Sequence, residues 1–249
     1  MKQLPSDPLS KYGFTLSSPP TVSVLNEKPL PAVPWDGVTK PSSLAAGEAA
    51  LRNQLSAAAK RFDWPTVLSI LRERPQFANT TRLGGKSLYT PLHQAAHGGA
   101  SVEVVTNLLQ FGAWRTMKNA NGNRPIDIAI ANRHLHLLEI LQPVYSQDVA
   151  PAVIAKLQNQ FHLIIREILQ GLDKEQALRL PELEVMLEHR PRKFWFNVLE
   201  MFGGFSYWLT YEGADAALEV NSFCRLEGGV GNRHKITTSS TKAEPILLW

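Results

Sequence analysis

The chain has one cysteine in 249 residues, Cys224. That excludes an internal disulfide framework and any zinc cluster built on cysteine. Long apolar runs are also missing. The richest stretch, Phe161 to Leu169, is broken by Arg166 and Glu167 and falls short of the ~18 residues that suggest a membrane-spanning helix. No arginine precedes Arg52, and the N-terminal region lacks a charged-then-apolar layout. Neither a secretory signal nor a mitochondrial transit peptide is expected there, and a cytoplasmic or nuclear protein is. At 44% hydrophobic and 19% charged, the composition is that of one or two soluble globular domains.

Charge and proline are unevenly spread. Residues 1–45 hold four Lys against three acids, residues 46–147 eleven Lys/Arg against six, and residues 148–249 eleven against thirteen. The middle is therefore the basic part, which steers an acidic partner toward it. Eight of the seventeen prolines lie in residues 1–45. Proline removes backbone donors and disfavours helix in the residue before it, so this segment reads as a disordered, Pro-rich arm. Within it, Lys28-Pro29-Leu30-Pro31-Ala32-Val33-Pro34 fits the K-x-x-P-x-x-P pattern of a ligand for SH3-type grooves. The plainer alternative is a linker whose Pro34-Trp35 end packs onto the first repeat of the segment that follows.

Residues 46–147 show internal similarity. Thr90-Pro91-Leu92-His93-Gln94-Ala95-Ala96 is followed by Val102 to Val105, Leu108-Leu109 and Gly112-Ala113. Thirty-four residues on come Arg124-Pro125-Ile126-Asp127-Ile128-Ala129-Ile130, then Leu135 to Leu138 and Ile140-Leu141. A weaker copy runs through Leu55 to Ala59, Trp64, Val67-Leu68 and Ile70-Leu71. Each copy predicts two short helices and a turn. Pro91 and Pro125 suit the first helical position, where a missing N–H loses nothing. Small Ala95, Ala96 and Ala129 allow close approach of the inner helices, and the Leu/Val/Ile positions give a stacking stripe on the outer ones.

The T-P-L-H-x-A-A run and the period near 33 residues resemble the ankyrin-repeat family. The resemblance implies about three repeats whose turn tips and inner helices bind another protein. Within the repeat, His93 has a structural role, its imidazole bonding the neighbouring turn while Thr90 fixes the helix start. The family's contact positions fall here on Lys86, Ser87, Tyr89, His97, Trp114, Lys118, Ala120, Asn121, Asn123, Ala131 and Asn132. Among these, Tyr89 and Trp114 are the aromatic anchor candidates, with packing against the neighbouring domain the alternative for Trp114.

From about Ala150 the pattern changes. Val153 to Leu169 recur at helical spacing, a short helical stretch follows Pro181 up to Glu188, and then the period switches to two. Phe194, Phe196 and Val198, then Phe205, Tyr207, Leu209 and Tyr211, then Leu218, Val220, Ser222 and Cys224 alternate. With Lys235 to Thr238 and Pro245 to Leu248 they predict four or five strands in one antiparallel sheet. The fold class expected is thus α+β: a helical repeat array followed by a small helix-plus-antiparallel-sheet domain. Adjacent Gly203-Gly204, between aromatic strands, suggest a bulge or a close backbone approach. With the Gly-rich loop near Gly228 and His234 they loosely resemble the tail domain of some uncharacterised ankyrin-containing proteins, a likeness that implies no activity.

No catalytic set emerges. His134 and His136 lack the partners of a zinc site, so no metal is expected. The Gly228-to-Gly231 loop leads into a strand-like run, not a phosphate-binding helix. Cys224 shares a face with Leu218 and Val220 and reads as an inert thiol, and His189 to Lys193 as a solvated basic turn. The function expected is a protein–protein interaction module, an adaptor or regulatory factor without cofactor or catalysis. The rival reading places a small-ligand or enzymatic site on the C-terminal sheet, lined by Tyr207, Trp208, Arg225, Arg233 and His234. A cavity enclosed by those five supports the rival; a filled core removes it.

Overall fold

In the computed structural model, residues 31–170, 178–212, 215–224 and 230–246 are described. Three helix pairs come first: α1 (Ala46–Lys60) with α2 (Trp64–Glu73), α3 (Pro91–Gly98) with α4 (Val102–Gln110), and α5 (Pro125–Ala131) with α6 (Leu138–Leu141). The first members pack side by side, α1 on α3 on α5, and the second members do the same. Local chemistry sets the helix starts. The Asp63 carboxylate accepts the Thr66 N–H at 3.3 Å, and the Ser101 hydroxyl accepts that of Val104 at 3.3 Å, each satisfying an orphan donor. Asp127 Oδ2 accepts the Arg124 N–H at 2.8 Å, doing at α5 what the His93 ring does at α3.

The three pairs share one conformational device. The chain reverses after each inner helix through a left-handed residue: Phe62 at φ 60°, Gly99 at 62° and Arg133 at 60°. Gly99 is held by space as well as by φ, since a Cβ there would meet the His134 ring at 2.6 Å. The register between pairs is further fixed by His134 Nε2 donating to His97 O (3.1 Å) and His136 Nε2 to Ala100 O (3.0 Å). These histidines tie successive pairs together.

The rest is a six-stranded sheet under one long helix. β1 (Val33–Trp35), β2 (Phe194–Val198), β3 (Gly203–Glu212), β4 (Asp215–Cys224), β5 (Val230–Ile236) and β6 (Thr241–Ile246) lie in the order of their numbers. Strands β2 to β6 form an antiparallel meander, as their alternation predicts, but β1 runs parallel to β2, with Trp35 opposite Phe196. The sheet is therefore mixed, not antiparallel. Both outermost strands contain a proline, Pro34 in β1 and Pro245 in β6, the edge placement a residue without an N–H tolerates. Gly203 and Gly204 do mark a close approach: a side chain at either would run into the backbone, of Phe223 or of Phe196.

α7 (Pro151–Ile168) covers the inner face of the sheet. Phe161 sits at its centre, 5.0 Å from the Tyr207 ring and 6.1 Å from that of Phe205. A 3₁₀ segment, Leu183–Glu188, buries Leu183, Val185, Met186 and Leu187 in the same core. A second core fills the helix pairs, from Leu55 to Leu141. The core of the sheet also takes in Val33 and Trp35 from β1 and Trp114 and Met117 from the turn after α4.

The Pro-rich arm does not run free to residue 45. Val33–Trp35 is β1, and Pro41–Ser43 is a 3₁₀ turn. Lys28 to Leu30 of the K-x-x-P-x-x-P pattern lie outside the described residues, while Val33 and Pro34 are committed to β1, so that half is no free polyproline ligand. Beyond β1, Asp36 takes two hydrogen bonds from Arg52 Nη1, at 2.8 and 3.0 Å. The guanidinium, also bound by Glu48 at 3.0 Å, lies over the Phe77 ring. Burial pushes the Asp36 carboxyl above its ordinary range in spite of Arg52. No helix among the described residues is long and apolar enough to cross a membrane.

Candidate interaction surface

The inner helices and the turns ahead of them share one side of the array. Asn119 builds the tip before α5: its Oδ1 accepts the N–H groups of Asn121 and Asn123, both at 2.9 Å, while its own N–H bonds Asn123 O at 2.9 Å. Gly122 supplies the positive φ of 78° that the tight turn needs. The Ala120 N–H donates to Ser87 O at 3.0 Å, so adjacent tips are laddered. His93 locks tip to helix. Its Nδ1 accepts the Thr90 N–H at 3.3 Å, which leaves Nε2 protonated to donate to Asn123 O at 3.3 Å. This is the structural role the resemblance implied.

Most of the expected contact residues line this side. Lys86, Ser87, His97, Ala120, Asn121, Asn123, Ala131 and Asn132 are exposed, although Asn132 also closes α5 by donating to Ile128 O at 2.8 Å. Tyr89 is half-buried, packed on the rings of His93 and His97. Two positions differ. Trp114, an expected anchor, is only 6% exposed and stacks on Trp35 at 5.8 Å with planes 9° apart. An indole in that place finds the apolar edge of the sheet and is buried by it, so it contacts no partner. Lys118 is half-buried, and its Nζ lies 3.1 Å from Glu184.

Those two are held by a contact the sequence did not reveal. Three carboxylates from the Pro181–Glu188 run grip the turn between α4 and α5. Glu188 accepts the backbone N–H of Arg115 (3.1 Å) and of Thr116 (2.8 Å), and the Thr116 hydroxyl at 2.6 Å. Glu182 accepts the Lys118 N–H at 2.8 Å and is paired with Arg179 at 2.6 Å. Glu184 is bound by Lys118, Arg124 and the Tyr145 hydroxyl. Burial pushes the Glu188 carboxyl up despite its donors. At Glu184, burial acts the same way, but the bonds from Tyr145, Lys118 and Arg124 outweigh it and bring the carboxyl down. Tyr145 is pushed up to about 12, by burial first and by Glu184 next. Replacing Glu188 with alanine should lower stability by about 1–3 kcal/mol, because two backbone amides, that of the buried Thr116 among them, lose their acceptor. Urea denaturation followed by circular dichroism measures this, and an unchanged midpoint would count against the grip.

The rival ligand site does not assemble. Period-two geometry sends its members to opposite faces. Tyr207 and His234 flank Val220 on the inner face, where Tyr207 is fully buried among Phe161 and Phe194. Trp208 lies on the outer face under the Lys193 ammonium, and Arg233 pairs there with Glu219 at 3.0 Å. Arg225 lies outside the described residues. The core expected to be either filled or hollow is filled at Tyr207. Cys224 is opposite Val230, and its thiol approaches Met201 O at 3.4 Å. Among the described residues no group of three or more His, Cys, Asp and Glu side chains is placed to hold a metal ion.

Concavities lie elsewhere. One of about 730 Å³ runs between the Lys118–Arg124 turn, the start of α7 and Glu184. A smaller one of about 280 Å³ opens between α1 and the loop before α3. Its rim carries Lys60, Arg82 and Lys86, and among the described residues no acidic side chain lines it. No curated protein matches the chain. Residues 87–120, the segment from Ser87 through α3 and α4 to the Asn119 turn, match the family model described as the ankyrin repeat. On that match and on the capped Thr90–Gly98 helix that carries it, this segment is similar to an ankyrin repeat.

Proposed function

We propose that the three helix pairs act as one ankyrin array of three repeats, and that the array captures another protein without catalysing a reaction itself, as an adaptor or regulatory factor. Ankyrin repeats suggest a protein-interaction module. The observation that carries the reading is the division of labour around the tips. Backbone groups of Asn119, Asn121, Asn123 and Ser87 are bonded within the array, so the exposed side chains of Lys86, Ser87, His97, Asn121 and Asn123 are presented on a fixed frame. Preordered side chains lose little entropy on binding. The partner is acidic on this reading, since the array holds the chain's excess of basic residues and no acid among the described residues lines the recess beside Lys86.

Replacing His97, Asn121 and Asn123 together with alanine should cut partner capture by about tenfold or more, with an unchanged circular dichroism spectrum and melting temperature. Equal yields of the same proteins from wild type and variant, by quantitative affinity capture with the full chain, would refute the surface. Ligand binding is favoured by one observation, the cleft of about 730 Å³. Its cations, however, are already paired: Lys118 and Arg124 both bind Glu184. Protein binding through the tips is the stronger reading.

A further inference from the structure

The recess between α1 and the loop ahead of α3 has a more specific chemistry than a general binding face requires. Ser56 and Lys60 reach it from α1; Arg82, Lys86, Ser87 and Tyr89 reach it from the loop. Lys60, Arg82 and Lys86 are exposed and form no ion pair with any described residue. The cations on the next turn differ, because Lys118 and Arg124 are both neutralised by Glu184. Of the six cations in the first two pairs and their loop that form no ion pair with a described residue, three thus line one concavity of about 280 Å³.

The loop bearing two of the three cations is held at several points. The Gly84 N–H donates to Thr39 O at 2.7 Å, Gly85 N–H to Arg82 O at 3.0 Å, and Ser87 O receives Ala120 N–H at 3.0 Å. Leu83 is buried between them. Like charges collected on a fixed loop repel one another until a counter-charge enters, and a concave setting strengthens that attraction. A carboxylate brings one negative charge. A phosphoryl group brings nearly two, with three strong acceptor oxygens, and so suits three cationic side chains beside the hydroxyls of Ser56, Ser87 and Tyr89.

We propose that this recess is a docking site for a phosphorylated serine or threonine of the partner protein. The proposal rests on the protein-binding reading and names the chemical group that reading leaves open. Lys60, Arg82 and Lys86 supply the charge; the three hydroxyls donate to the remaining oxygens.

The test uses the full chain and three degenerate peptide libraries that differ only at a central position: phosphoserine, glutamate or serine. Fluorescence anisotropy should give binding about tenfold or more tighter for phosphoserine than for glutamate, since charge-assisted bonds scale with charge and acceptor number. The Lys60→Gln/Arg82→Gln/Lys86→Gln variant should lose that difference. Inorganic phosphate should move the amide resonances of residues 82–87 in the wild type and not in the triple variant. Equal binding of the phosphoserine and glutamate libraries, or tighter binding of a single-stranded oligonucleotide than of phosphoserine, overturns the proposal. If phosphoserine has no advantage but partner capture still depends on His97, Asn121 and Asn123, the recess fails and the array reading stands. If capture survives both variants, both fail.

Discussion

Replacing Trp114 with alanine should lower the free energy of unfolding by about 3–5 kcal/mol, the range for removing a large aromatic from a packed core. Trp114 leaves the turn after α4, yet it is buried with Trp35, His189 and Phe194 around it. Neighbours from β1, from the segment ahead of β2 and from β2 itself cannot all collapse into the space left behind. Trp35 is itself fixed from two sides: its Nε1 donates to Arg179 O at 2.8 Å, and the Arg179 guanidinium lies over its ring. A double-mutant cycle with Trp35→Ala should show a coupling of about 0.5–1.5 kcal/mol, as expected of an aromatic pair. Urea titrations read by circular dichroism and by tryptophan fluorescence supply the numbers. A loss under about 1 kcal/mol for Trp114→Ala, well below that range, would mean that the stacked pair is not part of the folded core.

Acid should unfold the protein from near neutrality downward, and His93 should account for a large share of it. Burial, helped by the positive charge of Arg179, pulls the His93 pKa from 6.5 down to about 3. Its folded form is neutral, with Nδ1 accepting from Thr90 and Nε2 donating to Asn123. Between pH 6.5 and 3 the unfolded chain binds a proton that the folded chain refuses, so stability is complete above 6.5 and falls as pH falls through that window. The full shift corresponds to a loss of up to about 5 kcal/mol. His162, His189 and His234 are also lowered by burial and add slope of the same sign. The raised carboxyls of Asp36 and Glu188 act oppositely, since the folded chain takes up their protons more readily. The comparison is therefore with His93→Gln, whose stability, measured by urea titration at half-unit steps from about pH 7.5 to about 4.5, should depend less steeply on pH. Parallel curves for the two proteins would show that His93 titrates normally in the folded state.

The helix pairs were legible in the sequence because their determinants are local. Thr90, Pro91 and His93 start a helix within three residues of one another, and the Arg124/Asp127 replacement at the same places works through a bond of equal span. Alternation from Phe194 to Val220 likewise revealed the inner face of the sheet. What stayed hidden is long-range. A three-residue strand has no period to read, and β1 owes its existence to a partner some 160 residues away. For Trp114 the sequence leaves two places open, an exposed anchor or a packed one, and only the position of the sheet selects the packed one. The carboxylates of Glu182, Glu184 and Glu188 resemble an ordinary solvated run, since three of their partners are backbone amides on a distant turn. The proposed ligand set failed for a local reason: Tyr207 and Trp208 are neighbours in sequence and therefore opposite in space.

The prolines in the two outermost strands bear on how copies of this molecule behave when crowded together. Any further strand arriving at either margin meets a gap in the donor row, at Pro34 on one side and at Pro245 on the other, and β6 adds the charges of Lys242 and Glu244. Growth of the pleated layer from molecule to molecule, the first step toward fibres, is discouraged at both ends.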